Sequence, residues 1–322
     1  MIVLRFAVGV ALLAALFYFH LIDAAALRQA LGHPAMLAVA ALLSLAAIPV
    51  AGLRWHLLLV SQDLILQLRQ TLRIVAISTF FAMFLPGGAG GDIVRGVYIA
   101  HASRGRRTSG LLSILIDRLV GFAGFLLVGV IATLSRPPRT YGAFEYAVFV
   151  LAALFAVSIV VLFKFGHPIA LTINRLFHGR SHRIAAIIEA IGEALRLYAT
   201  RWRIVILSLA LSTLIVILLT VAIVTIAVAM QFNGLNAVEY GIAGIYAMVA
   251  NTLPITPGGI GVGEGAFASA CIMLEPASAG VAYGTIFLVF RCAMAIAALP
   301  GLAVYLVYPQ RASLLTPANP LT

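Results

Sequence analysis

The sequence predicts an all-α, polytopic helical membrane protein, and three observations support that fold class. Of the 322 residues, 63% are hydrophobic and only 10% are charged, whereas soluble domains carry roughly 25% charged residues. The mean hydropathy is +1.11. A motif rich in proline and glycine occurs twice inside apolar sequence and ends each time in a carboxylate. We therefore expect a single integral membrane domain over residues 1–322, with about six full spans and two re-entrant or broken helical hairpins in an inverted-repeat-like arrangement.

Six apolar stretches are long enough to cross a bilayer, because a spanning helix needs about 20 apolar residues. We predict these spans at residues 2–22, 34–53, 110–134, 146–165, 204–230 and 278–308. The first stretch could be misread as a signal peptide, since three alanines follow it at residues 24–26. An uncleaved first helix is the better interpretation.

Two further apolar regions, residues 73–100 and 238–275, are each interrupted near the middle by the repeated motif. The first copy runs from Leu85 to Asp92 and the second from Leu253 to Glu264. Proline and glycine break helices, and backbone outside a helix cannot face lipid without unpaired polar groups. We predict a hairpin of two half-helices in each region, with two short full spans as the alternative. Paired interruptions of this kind point to a transport site.

The distribution of basic residues indicates the orientation. With the N-terminus inside, sixteen lysines and arginines fall on cytoplasmic segments and three, Arg28, Arg136 and Arg139, fall outside. This positive-inside bias predicts a cytoplasmic (inner) membrane protein with both termini in the cytoplasm. It also accounts for most of the net charge of +11 without a nucleic-acid partner. Trp55 and Trp202 flank arginines at predicted cytoplasmic helix ends, which is typical of interfacial anchors.

Three predicted spans separate the hairpins, so the first enters from the cytoplasm and the second from outside, as in inverted repeats. Between them, residues 181–198 place apolar side chains at a helical period. This pattern predicts an amphipathic helix on the cytoplasmic surface. A packing element between two bundles explains the same pattern.

Charged residues inside apolar sequence are costly and therefore suggest function. Arg291 lies near the middle of a long apolar run, where it needs a carboxylate such as Glu264 or Asp92, or an anionic ligand. Its guanidinium suits a phosphate-bearing substrate. Asp117 and Arg118 lie one and a half to two turns into their span. Snorkelling of Arg118 to the interface is the structural alternative.

Asp92 and Arg95 are three residues apart and would share one helix face after the first glycine cluster. Asp92 and Glu264 could also act only as helix caps. The glycines have two possible roles, since successive N–H groups form anion-binding concavities and glycines also allow close helix packing. The candidate substrate-binding set also includes the motif residues Gly87, Gly88, Gly90, Gly91, Pro257, Gly258, Gly259 and Gly261. We expect no metal site, no cofactor and no catalytic residue.

These motifs resemble those of a known family, the flippase-like membrane domain of lysylphosphatidylglycerol synthases. The resemblance rests on Arg54-Trp55, the two glycine motifs, residues 116–121 and Arg291, in order along nearly the whole chain. It implies translocation of lipid between leaflets. The full synthases carry a soluble aminoacyl-transferase domain, which this chain does not match, so we do not carry that activity over.

The leading hypothesis is a flippase-like transporter of a phospholipid or other lipid-linked headgroup, and not an enzyme. In this hypothesis the buried charges bind the headgroup. Two alternatives are a membrane-embedded lipid-modifying enzyme and a non-transporting scaffold of a lipid or glycolipid biosynthesis complex. The expected partners are a membrane lipid with a phosphate, lipid or glycolipid biosynthesis enzymes, and further copies of the chain in a homo-oligomer.

Overall fold

The computed structural model is helical throughout the part of the chain that it describes. The described residues are residue 18 and residues 23–64, 66–84, 90–102, 107–137, 141–177, 182–232, 234–253, 255–256, 259–278 and 281–308. These ranges hold eleven α-helices and no strand, which confirms the predicted fold class. The helices are α1 (Ala24–Leu31), α2 (Pro34–Val60), α3 (Leu68–Phe84), α4 (Gly90–Ala102), α5 (Arg107–Leu134), α6 (Ala143–Phe177), α7 (His182–Thr200), α8 (Trp202–Ala229), α9 (Ala237–Ala250), α10 (Val262–Leu274) and α11 (Gly284–Val307).

Five of these helices, α2, α5, α6, α8 and α11, are long and apolar enough to cross a membrane. They correspond to five of the six predicted spans, although α2 continues to Val60 and α11 begins only at Gly284. The sixth predicted span, residues 2–22, lies outside the described residues apart from Tyr18. The chain is a multi-pass membrane protein.

The two interrupted regions form pairs of short helices whose arms pack against each other, α3 with α4 and α9 with α10. The second arm of each pair has 13 residues, a rise of about 20 Å. The hydrocarbon core of a bilayer is about 30 Å thick, so these arms are too short for full spans. The half-helix interpretation therefore fits better than the alternative of two spans. Three candidate spans, α5, α6 and α8, separate the hairpins.

The centre of the bundle is α2 packed along α8, and the two hairpins lie on either side. The largest apolar cluster joins residues of α2 and α8 to both arms of the second hairpin and to α11. A second cluster joins α2 to both arms of the first hairpin. By contrast, the apolar 18-residue stretch of α6 holds no buried residue. One long face of α6 therefore meets lipid.

Helix α7 covers the predicted amphipathic segment and packs against the ends of the spans. Leu195 and Tyr198 contact an apolar cluster with Leu58 and Ile116, and the Tyr198 hydroxyl donates a 3.2 Å hydrogen bond to the Leu58 carbonyl. Burial raises the pKa of the Tyr198 phenol, so that the hydroxyl keeps its proton for this bond. The helix acts as a packing element on this face.

Close contact between α3 and α11 depends on the absence of a side chain at Gly301. A Cβ atom there would lie 2.1 Å from the Ala76 carbonyl oxygen. We expect Gly301→Ala to separate the helices and to lower the free energy of unfolding by about 1–3 kcal/mol. Thermal unfolding of the purified protein in detergent measures the effect.

The matched control is Gly96→Ala in α4, where a Cβ atom would meet only the end of the Leu111 side chain at 3.4 Å. Alanine is favoured over glycine inside a helix by roughly 0.5–1 kcal/mol, so this variant should melt at or above the wild-type temperature. Equal melting of the two variants would contradict the proposed contact.

Candidate functional site

A buried carboxylate beside the first hairpin holds two arginines from two other helices. Asp117 lies ten residues into α5, about 15 Å along the helix. Its Oδ1 accepts from Arg54 Nε of α2 and its Oδ2 from Arg95 Nη1 of α4, both at 2.8 Å. Only 4% of the Asp117 side chain is exposed. One acid therefore joins α2, α4 and α5 at the level of the broken hairpin.

A serine hydroxyl accepts a further hydrogen bond from each of the two arginines. Arg54 Nη1 donates to Ser212 Oγ of α8 at 2.9 Å, and Arg95 Nε donates to Ser78 Oγ of α3 at 3.0 Å. Buried charges are tolerated when their remaining donors are satisfied in this way. The network thus extends over five helices.

Trp55 supports this network from within the protein, so its predicted role as an interfacial anchor is wrong. The side chain is fully buried, its Nε1 donates to Ser113 Oγ at 3.1 Å, and the Arg95 guanidinium lies 5.3 Å from its ring centroid. In the sequence Trp55 follows an arginine at a predicted helix end, and this pattern is the same for a buried tryptophan and for one at the membrane interface. Trp202, the other predicted anchor, is exposed.

A second ion pair lies on the same hairpin and is open to its surroundings. Arg118 Nε donates to Asp92 Oδ2 at 2.7 Å, with 47% of the Arg118 side chain and 26% of the Asp92 side chain exposed. Asp92 and Arg95 share a face of α4, while the adjacent Asp117 and Arg118 point in different directions on α5. The ion pairs Arg95–Asp117 and Asp92–Arg118 therefore both join α4 to α5, the first inside the bundle and the second at its edge.

The charges of this first cluster do not cancel. It combines three arginines, Arg54, Arg95 and Arg118, with two aspartates, Asp92 and Asp117. Among these five groups the arginines therefore exceed the aspartates by one.

Arg291 forms the centre of a cluster at the second hairpin. Its Nε donates to Glu264 Oε1 at 2.6 Å, and its Nη2 to Glu264 Oε2 at 3.2 Å and to the Gly259 carbonyl at 2.9 Å. Glu264 is fully buried, and its Oε2 also accepts from the Gly261 backbone N–H at 2.8 Å. Glu264 is thus both a cap of α10 and the ion-pair partner of Arg291, and this pair is electrically neutral.

The motif glycines that the structure describes are used for close packing and for tight backbone turns. Gly259 and Gly261 have φ values of 73° and 82°, in the left-handed region that favours glycine. A Cβ atom on Gly91 would lie 2.7 Å from the Ser78 carbonyl oxygen of the other arm. Gly90 begins α4 and is also buried. Four further predicted site residues lie outside the described residues: Gly87, Gly88, Pro257 and Gly258.

A third charged cluster escaped the sequence analysis. Arg136, after α5, pairs with Glu145 of α6 and, at 3.3 Å, with Glu239 of α9. Glu145 Oε2 also accepts from the Gly142 backbone N–H at 2.7 Å. Arg136 was assigned to an outer loop as a topology signal, and its partners are 9 and 103 residues away in the sequence. This separation leaves no local pattern to detect.

Comparison with known proteins identifies a family. A family model described as the lysylphosphatidylglycerol synthase TM region matches residues 2–309. No curated protein and no solved structure matches the chain. The match covers both hairpins and all three charged clusters.

Removal of Arg291 should destabilise the protein strongly, because Glu264 would be left buried without its ion-pair partner. We expect Arg291→Ala to lower the free energy of unfolding by about 3–5 kcal/mol. Denaturation of the purified protein in detergent, followed by circular dichroism, measures this change.

Arg196→Ala is the matched control, since Arg196 pairs with Glu193 on the exposed face of α7, where an ion pair contributes little. The double variant Arg291→Met with Glu264→Gln should recover part of the loss, because it leaves no unpaired charge. A wild-type stability for Arg291→Ala would show that the pair is not structural.

Proposed function

Because the chain belongs to the family of the lysylphosphatidylglycerol synthase TM region, we propose that it moves a lipid between the two leaflets of its membrane. The family is membrane-related and linked to lipid handling. We base the proposal of flippase-like translocation on the charges beside the first hairpin, which suit a lipid with a phosphate-bearing headgroup.

The observation that carries the proposal is the exposure of the Asp92–Arg118 pair, which lies on a cluster of three arginines and two aspartates. A guanidinium binds phosphate oxygens through two parallel hydrogen bonds. Almost half of the Arg118 side chain is exposed, so a headgroup can approach it from outside the bundle. Asp92 keeps the guanidinium oriented and can meet a cationic part of the headgroup.

The buried network behind this pair has a different role. Arg54 and Arg95 are both bonded to Asp117 and to a serine, so that their orientation is set before a lipid arrives. Their charge still acts on a bound phosphate, because electrostatic interactions are strong in a medium of low dielectric constant. We assign direct contact to Arg118 and electrostatic support to Arg95 and Arg54.

Arg291 fits a structural role better than the headgroup contact expected from the sequence. Its donors already engage Glu264 and the Gly259 carbonyl, and the pair with Glu264 is neutral. It joins α11 to the start of α10 and keeps the second hairpin in place. Headgroup recognition is therefore assigned to the first hairpin.

We further propose that the chain acts as a transporter in the cytoplasmic membrane and does not itself modify the lipid. Asp92, Asp117 and Glu264 each accept from an arginine, which suits them to orienting guanidinium groups. Lipid or glycolipid biosynthesis enzymes would supply or consume the transported molecule. We also propose that both termini lie in the cytoplasm, which the distribution of basic residues supports.

Arg118→Gln should impair transport while leaving the fold intact, because the lost contacts are half-exposed. In liposomes that contain a trace of fluorescent phospholipid, access of an impermeant quencher to the inner-leaflet label measures translocation. We expect the rate for an anionic phospholipid to fall at least about tenfold, as for loss of a hydrogen bond to a charged group. Arg118→Lys should retain only part of the activity, since lysine cannot form the bidentate contact.

Arg196→Ala, which removes an exposed arginine on α7, is the control and should transport like the wild type. A wild-type rate for Arg118→Gln, with transport intact in both proteins, would remove Arg118 from the lipid path. No transport of any headgroup by the wild type would favour a scaffold or an enzyme.

The proposed orientation is tested by labelling single cysteines in intact cells. In a background with Cys271 and Cys292 replaced by serine, Ser135→Cys should react with an impermeant maleimide, since residue 135 follows the outer end of α5. Glu193→Cys on α7 should react only after the cells are opened. The reverse pattern would invert the topology.

A further inference from the structure

A cavity of about 650 Å³ lies between α5, α6 and the two arms of the second hairpin. Its size is within the range of ligand sites, roughly 300–1,000 Å³. Apolar side chains form most of the wall, among them Phe125 and Leu126 of α5, Leu151 of α6 and Ile245 of α9. It is separate from the charged cluster at the first hairpin.

One end of the cavity is polar. Thr133, near the end of α5, and Glu145, near the start of α6, both line it. Both carboxylate oxygens of Glu145 already accept hydrogen bonds, from Arg136 and from the Gly142 backbone N–H. The Thr133 hydroxyl is fully buried and has no hydrogen-bond partner among the residues that the structure describes.

The unpaired hydroxyl of Thr133 points to a missing ligand. Threonine in a helix usually donates to the carbonyl four residues earlier, and Thr172, Thr213 and Thr225 of this chain all do so. Thr133 and Thr220 do not, although burial of an unpaired hydroxyl is unfavourable, and of these two residues Thr133 lines this cavity. A ligand atom that accepts a hydrogen bond in the cavity would satisfy it.

The surroundings of the cavity restrict what that ligand is. Its walls α5 and α6 are candidate spans, and Leu151 in the α6 wall is 43% exposed. A molecule dissolved in the bilayer can therefore reach the cavity from the side. Since an acyl chain gains little by exchanging lipid neighbours for apolar side chains, the selection must come from the polar end.

We propose that this cavity binds one acyl chain of a glycerolipid, with the ester carbonyl of that chain accepting a hydrogen bond from Thr133 Oγ1. A neutral ester oxygen suits this end, because the Glu145 carboxylate is already paired. The inference deepens the proposed function, since it adds a lipid site at the outer end of the same bundle. Binding is measured separately from transport, so either proposal can fail without the other.

Photocrosslinking tests the proposal on the full chain in lipid nanodiscs. The probe is a phosphatidylcholine with a diazirine midway along one acyl chain, and mass spectrometry locates the adducts. We expect adducts on the cavity side, at Phe125 and Ile245, to exceed those on lipid-facing Leu154 and Val161 of α6. An even distribution over lipid-facing positions would overturn the proposal.

Three variants sharpen the test. Gly129→Leu places a side chain in the cavity from the α5 wall, where a Cβ atom has room at 3.4 Å from Ile245, and Leu151→Trp fills it from the exposed wall. Both should abolish the cavity adducts, and the second is informative if the first fails to fold. Thr133→Val keeps the shape but removes the hydroxyl, so the adduct yield should fall about fivefold, as for loss of one hydrogen bond.

Thr172→Val is the matched control, because that hydroxyl is exposed and bonds to its own helix. It should leave the adduct pattern unchanged. Wild-type adduct yields in Gly129→Leu and Leu151→Trp, both folded by gel filtration and thermal unfolding, would overturn the cavity as a lipid site. An unchanged yield in Thr133→Val would overturn the ester contact.

Discussion

The carboxylate of Asp117 is the interaction on which the first half of the bundle depends. It neutralises one of two buried guanidiniums and gives both a common acceptor, so that α2, α4 and α5 meet at one point. Ser78 and Ser212 extend the same network to α3 and α8. Without that acid two positive charges would face each other in a medium of low dielectric constant. The position of the hairpin arm that carries Asp92 follows from this arrangement.

The two hairpins are related in shape but differ in charge. In the first, the arginines outnumber the aspartates and one ion pair is exposed. In the second, one arginine and one glutamate cancel, and the acid is fully buried. Two pairs of packed short helices thus hold two chemically different sites. This difference suits the first to ligand contact and the second to structural support.

Hydropathy and helix-breaking residues were sufficient to predict most of the fold. Apolar length identified the spans, and the two proline–glycine motifs located the breaks between the hairpin arms. The sites were harder to predict, because one sequence pattern can occur both at the membrane interface and in the protein interior. Arg54 and Trp55 look like a positive-inside signal with an aromatic anchor, yet both are buried. Ser78, Ser212 and the partners of Arg136 carry no periodic signal, since their contacts arise only when distant helices meet.

Helix α11 contacts both hairpins. Arg291 binds the start of α10, and ten residues later Gly301 lies against Ala76 of α3, a separation of about 15 Å along the helix. A ligand that moves α11 at one hairpin therefore also changes the contacts of this helix with the other hairpin. By thermodynamic linkage a ligand at the second hairpin must alter binding at the first by the same factor.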